Sequence, residues 1–384
     1  MPPRFGSDRR VKTQITVDDV EAVAIGAGIL GTGGGGDPYL ESIQLRRELK
    51  KYGAQQLIDP KMVEEDDLMA VVGMIGAPTA GIEKLQEGTE LVRAVRLLED
   101  HLDQKFDAIV IAEIGGANSM GPLIAGLQAG IPTVDGDGMG RAFPELQMST
   151  FLFHGDVEVT PLAMVEAGKG SVVIPTTIDA LWSERLARNL ATSMGATAGL
   201  AGVVLTGKQV RDYCVPYTMS LAFNLGDRVL QARAHGEDVS EVIASSLGGK
   251  VQLRGKIIDV FRRTTRGFAR GNLTIEGFGG AVPRLEIDFQ NEFLVAKQDG
   301  EVVATVPDMI CIVAEETGEP ISTERLHYGT RVSVLVVPGA AALKTPEALR
   351  VVGPSAFGYD IKFKPLPGDL PDNGEVFGRG RISF

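Results

Sequence analysis

The chain has 384 residues, 44% hydrophobic and 23% charged, and a formal net charge of −12. This is the composition of a globular protein, and an acidic chain with no offsetting run of Lys and Arg argues against nucleic acid or an anionic membrane surface as its main partner. No apolar stretch approaches the roughly eighteen residues of a membrane span, and two cysteines without paired spacing, Cys214 and Cys311, exclude a disulfide framework.

The first residues, MPPRFGSDRR, contain no apolar h-region. No secretory signal is expected, and a cytoplasmic location is the default. Residues 1–15 read as a loose lead-in. Thr16, with Asp19 three residues on, is an N-cap for a helix running to about Leu30. The glycine run Gly31-Thr32-Gly33-Gly34-Gly35-Gly36-Asp37 ends it, and Pro38 opens a second helix to Tyr52. Asp67 to Met74 is a strand leading into a turn at 75–79. Thr89 to Gln104 is an amphipathic helix with Leu91, Val95 and Leu98 on one face. Phe106 to Ile114 is a strand, followed by the loop 113–120 and a helix to about Ala129. Ile131 to Val134 is a third strand, ending at Asp135-Gly136-Asp137-Gly138-Met139-Gly140-Arg141.

This strand–loop–helix rhythm predicts an α/β domain over 16–249, its sheet mainly parallel with helices on both faces. In such sheets ligands bind at the carboxyl ends of the strands, so the loops 75–79, 113–120 and 135–145 should converge. The place of the 31–37 loop stays open, because it follows a helix. Ser171 to Pro175 reads as a strand, Ile178 to Met194 as a helix, and Gly207 to Leu247 as helical with a break at 214–216. From about Lys250 the texture is β-rich. Short strands at 251–263, 272–277, 284–289, 292–297, 302–306, 309–314 and 331–337 predict a barrel or sandwich over 250–364. The only dense basic cluster, Arg262, Arg263 and Arg266, lies here. Residues 365–384 read as a poorly ordered tail.

The 135–145 segment is the first place to expect chemistry. It carries Asp135, Asp137 and Glu145 with Arg141 among glycines that let the backbone approach a ligand. An Asx-turn and a first-turn carboxylate facing a helix dipole explain one of these acids and leave the others over. Arg141 is a substrate-binding candidate, or the structural partner of one of the acids. Glu113 is a candidate base or metal ligand. Asn118 could hold a carbonyl or, with Ser119 the better choice, cap the next helix. In the glycine loop, Gly34, Gly35 and Asp37 could cradle an anion at a helix start, or form a close-packed turn. That loop has neither the Walker A lysine nor a Rossmann fingerprint. His154 follows the acidic loop and is a candidate ligand or catalyst, although a lone His is usually structural. His101, His235 and His327 have unremarkable neighbours. No zinc motif can be read, so a divalent metal, zinc or another, would need Asp135, Asp137 and His154. Nothing near Cys214 marks it as an activated nucleophile. Asp288, Asn291, Glu292 and Asp308 are polar strand positions that could line an interdomain cleft, with exposed strand edges the expectation for most of them.

Gly-Ala-Gly-Ile-Leu-Gly-Thr-Gly-Gly-Gly-Gly-Asp-Pro-Tyr at 26–39 resembles the N-terminal signature of the S-methyl thiohydantoin desulfurase family. The segments beginning at Glu113, Asp135, Gly255, Phe289, Val306 and Gly353 follow in matching order, so the resemblance covers about 17–362. It implies an α/β N-terminal and a β-rich C-terminal domain. The implied activity is hydrolysis at C2 of a sulfur-substituted hydantoin ring, with release of a thiol. It also implies an association with hydantoinase/oxoprolinase-type proteins. The leading expectation is a metal-dependent hydrolase of a small cyclic amide, with Asp135, Asp137 or Glu113 as base. A non-catalytic subunit of a hydantoinase-type complex and a nucleotide-binding protein are the alternatives. A homo-oligomer is expected, though no residue shows it.

Overall fold

A computed structural model of the chain describes residues 11–77, 86–265, 267–278 and 283–371. Parts of the lead-in and tail, residues 78–79 of the expected turn and Arg266 lie outside the described residues.

The first sheet is mixed. Its strands are β1 (Gln14–Ile15), β2 (Gln55–Ile58), β3 (Leu68–Gly76), β4 (Ala108–Ile111), β5 (Thr133–Asp137), β6 (Leu162–Val165), β7 (Ser171–Ile174), β8 (Thr197–Thr206) and β9 (Val215–Pro216), in the order β1-β2-β5-β4-β3-β8-β6-β7, with β9 paired to β5. The core β2-β5-β4-β3 is parallel, and β8, β6 and β7 extend it antiparallel. On β3, Ala70 and Val72 join one apolar cluster while Met69, Val71 and Ile75 join another. Alternation sends successive side chains to opposite faces, so both faces are covered.

The helices are α1 (Val20–Leu30), α2 (Pro38–Tyr52), α3 (Glu90–Leu102), α4 (Gly116–Ala129), α5 (Ala180–Ser193), α6 (Gly207–Tyr213), α7 (Thr218–His235), α8 (Val239–Ser246) and α9 (Pro346–Val352). Asp19 accepts from the Thr16 N–H and hydroxyl at the entry to α1. Leu91, Val95 and Leu98 of α3 are buried as their spacing predicts. Helices α1 and α7 cross at small residues: a Cβ on Gly26 would lie 1.8 Å from the Ala222 carbonyl oxygen, and one on Gly226 would lie 1.8 Å from that of Ala22. Among the described residues no helix is long and apolar enough to cross a membrane.

The second sheet is an antiparallel half-barrel of β10 (Lys250–Thr265), β11 (Phe268–Gly277), β12 (Arg284–Gln290), β13 (Glu292–Gln298), β14 (Glu301–Thr305), β15 (Met309–Ala314) and β16 (Arg331–Val337), in the order β14-β13-β12-β11-β10-β16-β15. One apolar cluster joins α1 and α7 to Leu294, Val306, Met309 and Leu335. Through that cluster the half-barrel packs against the α/β layer.

Candidate functional site

The parallel strands β3, β4 and β5 release their chains at one end of the sheet, and a cleft of about 510 Å³ opens there. Its walls come from Met74 to Ala77 at the end of β3, Ala112 and Glu113 after β4, and Met139 with Phe143 to Leu146 after β5. The convergence expected from topology is therefore present. Two further elements contribute to the walls: Gly35, Gly36 and Asp37 of the glycine loop, and Asn291 and Glu292 at the β12–β13 turn.

The glycine loop reaches the cleft because it is packed against the start of α4. Ala117 and Asn118 donate their N–H groups to the Gly36 and Gly35 carbonyls at 3.1 and 3.0 Å. A Cβ on Gly35, whose φ is +74°, would lie 2.4 Å from the Gly115 oxygen, so the residue is fixed by both its left-handed backbone and a close approach. On its other side the loop meets the half-barrel, where Phe293 donates to the Thr32 carbonyl at 2.8 Å. Gly34 does not line the main cleft; a Cβ there would lie 2.0 Å from Glu292 Oε1. Asp37 caps α2 through the Tyr39 N–H at 3.0 Å and pairs with Arg325 at 2.5 Å. The loop is thus both a close-packed turn and part of the cleft wall.

Helix α4 begins at Gly116 with Gly115 in the N-cap position, which corrects the expectation of a cap at Ser119 or Asn118. The Ser119 hydroxyl instead accepts from the Gly115 N–H at 2.7 Å. Asn118 accepts from the Met74 N–H at 2.8 Å and donates to Glu113 Oε1 at 2.7 Å. Glu113 Oε2 accepts from the Phe143 N–H at 3.0 Å. Burial pushes the Glu113 carboxyl up from 4.5 to about 7, against the lowering effect of these donors.

Glu292 is the second buried carboxylate of the cleft. Burial raises it well above the ordinary carboxylate range, with the negative charge of Glu113 adding to the rise. Its Oε2 has no hydrogen-bond partner. The exposed-edge expectation fails for Asn291, Glu292 and Asp308, which are 4%, 2% and 0% exposed. Asp308 accepts from the Gly339 and Leu366 N–H groups and plays no part in the cleft.

The remaining expected site residues have other places. Strand β5 runs on through Asp135 and Asp137, so these are buried strand positions rather than loop residues. Asp135 accepts from the Ser220 N–H at 3.0 Å and hydroxyl at 2.5 Å, satisfying the start of α7. Asp137 Oδ2 accepts from the N–H groups of Ile114, Met139 and Gly140 at 2.8 to 2.9 Å, fixing the chain on either side of the cleft floor. Burial pushes them up to about 6 and about 7 respectively. Neither lines the cleft. His154 is exposed and stacks on Tyr213 at 4.6 Å. The three residues expected to ligate a metal are therefore not brought together. Hydrogen bonds already occupy both oxygens of Asp135 and one oxygen of Asp137, and the described residues contain no group of three His, Cys, Asp or Glu placed to hold an ion. That donor set does not fit the metal.

Arg141 is fully buried behind the carboxylates and pairs with neither through a hydrogen bond. Its Nη1 donates to the Asp308 carbonyl at 2.8 Å, and its Nη2 donates to Thr32 Oγ1 at 2.7 Å and to the Phe293 carbonyl at 3.2 Å. It ties the β5 segment, the glycine loop and the half-barrel together, and places a positive charge near Glu292 and Glu113. Glu145 lines the cleft and accepts from Gln147 and Gln290. Cys214 is far from an activated thiol, because burial and the charges of Asp137 and Asp135 push it up. Arg188 and Glu41, which sequence reasoning passed over, also line the cleft.

The chain matches the family model for the S-Me-THD-like N-terminal domain over residues 18–176 and that for the S-Me-THD-like C-terminal domain over 178–366. The fold is similar to the crystal structure of a protein from Chromobacterium violaceum, with a TM-score of 0.78 at 22% identity, covering 92% of this chain and 100% of that one. Comparison with curated proteins finds no match. With the two family models together spanning nearly all of the described fold, the chain belongs to the S-Me-THD-like family.

Proposed function

We propose that the chain is a hydrolase of small five-membered cyclic amides that acts at C2 of an S-methyl thiohydantoin or a related ring. The observation that carries this reading is the pairing of Glu113 and Glu292. One comes from the α/β sheet and one from the half-barrel; both are buried, and both line a cleft of small-molecule size. Two carboxyls in such a site divide into an acid and a base. Glu113 has two donors that favour its charged form and stands at about 7, so it serves as the base. Glu292 has an unpartnered oxygen and is raised well above the ordinary carboxylate range by burial and by the charge of Glu113, so it holds the proton and serves as the acid.

Glu113 takes a proton from water as the water oxygen bonds to C2, the C2=N electron pair moves to nitrogen, and Glu113 returns that proton to the nitrogen. The tetrahedral centre then collapses: Glu113 takes the hydroxyl proton as the oxygen becomes the C2 carbonyl, the C2–S bond breaks, Glu292 protonates the departing sulfur, and the proton on Glu113 passes to Glu292 to restore both groups. Water and the S-methyl ring give a hydantoin and methanethiol. No step requires a metal. Arg141, held behind the pair, offsets the charge that the two carboxyls carry between them.

The test is methanethiol release by the purified protein, compared with Glu113→Gln and Glu292→Gln. Each variant should lose roughly a hundredfold or more in kcat/KM. No release by the wild type, or full activity in either variant, sinks the reading. A second reading, a subunit of a hydantoinase-type complex, is supported by Ile178, Leu181 and Trp182, which are exposed around the start of α5. Co-purification with such a subunit, lost on Trp182→Glu, would favour it.

A further inference from the structure

We infer that the glycine loop is the oxyanion site of the cleft: the N–H groups of Gly36 and Asp37 hold the C4 oxygen of the ring, so a carbonyl at C4 is required of the substrate. The inference deepens the hydrolase reading and rests on it for the identity of the ring.

The peptide bonds of the loop are trans, and a trans peptide sets its carbonyl opposite the N–H of the next residue. The Gly35 and Gly36 carbonyls face α4, where they accept from Asn118 and Ala117 at 3.0 and 3.1 Å. The N–H groups of Gly36 and Asp37 therefore leave the loop on the side away from α4. Neither has a hydrogen-bond acceptor among the described residues, and both residues line the cleft. Next in the chain, Pro38 has no N–H, and Tyr39 donates to Asp37 Oδ1 at 3.0 Å. The pair of free donors stands at the start of α2, a helix of 15 residues whose dipole favours negative charge there. Arg325 offsets the Asp37 carboxylate at 2.5 Å.

Glu292 marks the same place as ligand-binding, independently of the loop backbone. It is 2% exposed and lines the cleft, yet its Oε2 has no partner. It touches the loop at Gly34, where a Cβ would lie 2.0 Å from Oε1. Glu113 reaches the loop through Asn118, which donates its side-chain amide to Glu113 and its backbone N–H to Gly35. The loop thus joins the two carboxyls. C2 and C4 flank the same ring nitrogen, N3, so a ring whose C2 stands between the carboxyls carries its C4 oxygen along the loop. When water adds to C2, the electron pair leaving the C2=N3 bond spreads over N3 and, by conjugation, the C4 oxygen. Two fixed N–H donors stabilise that charge until Glu113 returns its proton to N3.

The test compares two substitutions at one position. Asp37→Pro removes one donor at a backbone φ of −66°, which proline adopts. Asp37→Ala removes the same carboxylate and keeps the N–H. On the S-methyl ring, kcat/KM of Asp37→Pro should fall about a hundredfold below that of Asp37→Ala. Two ligands that need no turnover are used beside it: hydantoin, and 2-imidazolidinone, which differs only in lacking the C4 oxygen. The wild type and Asp37→Ala should bind hydantoin about tenfold or more tighter than 2-imidazolidinone, and Asp37→Pro should lose most of that preference. In the wild type, hydantoin should also slow amide exchange at Gly36 and Asp37, read by mass spectrometry, where 2-imidazolidinone does not. That measurement decides the matter even where Asp37→Pro does not fold. If no ring compound is turned over, the hydrolase reading fails while the two ligands still decide whether the loop holds a ring carbonyl. Equal kcat/KM in the two Asp37 variants, equal binding of the two ligands by the wild type, or exchange at Gly36 and Asp37 unchanged by hydantoin overturns the inference.

Discussion

Replacing Glu113 with Gln separates the electrostatic cost of this site from its packing. In the wild type, burial raises the Glu113 carboxyl from 4.5 to about 7. A carboxyl whose folded value is raised binds its proton more tightly in the native state. Its contribution to stability is therefore complete below about 4.5 and is lost as pH rises through about 7. At roughly 1.4 kcal/mol per pH unit, that loss is about 3 kcal/mol. Gln carries no charge and escapes it. Gln also brings a pH-independent penalty: its amide nitrogen must face either the Asn118 Nδ2 or the Phe143 N–H, both donors. Asn118 cannot turn to help, because Met74 holds both ends of its amide. A donor left facing a donor costs about 1–3 kcal/mol. The stability difference between variant and wild type should accordingly shift by about 3 kcal/mol in the variant's favour between about pH 4 and about pH 8. Relief of Glu292, which Glu113 also pushes up, works in the same direction. Urea unfolding of both proteins at the two pH values measures this shift. An unchanged difference would mean that burial does not raise the Glu113 carboxyl, and the acid–base assignment would lose its basis.

Three further substitutions test other parts of the site. Asp137→Ala leaves the Ile114, Met139 and Gly140 N–H groups without their acceptor and should cost about 3 kcal/mol or more; an unchanged thermal melt would refute its structural role. Gly34→Ala drives a methyl group to within 2.0 Å of Glu292 Oε1, so kcat should drop by roughly tenfold or more with the circular dichroism spectrum retained. Full turnover in that variant would remove Glu292 from the mechanism. His154→Ala removes an exposed ring stacked on Tyr213, and kcat/KM should stay within about twofold of wild type. A large loss would return His154 to the list of ligands or catalysts.

The sequence made most elements legible wherever the hydrophobic period was clean. The α2 helix, the break at 214–216 and the strands from Lys250 onward all stand close to where periodicity and turn residues put them. Strand β8 was hidden by its own packing. Its small residues alternate poorly because α3 lies against it; a Cβ on Gly199 would meet the Glu90 backbone at 2.8 Å. The strands β1, β2 and β6 are too short, at two to four residues, to show a period. The acidic loop was conspicuous by composition, yet its two aspartates turned inward. Asp137 takes two donors, Met139 and Gly140, from its own Asx-turn, but the donors from Ser220 and Ile114 are distant in the chain or across the sheet, and no local pattern announces those. Glu292 had the converse problem: one acid at a strand start reads as an edge until the partner sheet is present.

The position of Arg141 links these observations. A buried guanidinium is costly unless its donors are satisfied, and here the satisfying groups belong to three separate segments: Thr32 in the glycine loop, and Phe293 and Asp308 in the half-barrel. The β5 segment that carries Arg141 is fixed in turn by Asp137. The conspicuous residues of the 135–141 motif therefore hold the two sheets in register. What that register brings together is Glu113 from one sheet and Glu292 from the other, which neither sheet could pair alone. The chemistry proposed for the cleft depends on that pairing, so loss of Arg141 should disable the site through the separation of its two carboxyls, with the ring-binding walls after β3 and β4 left standing.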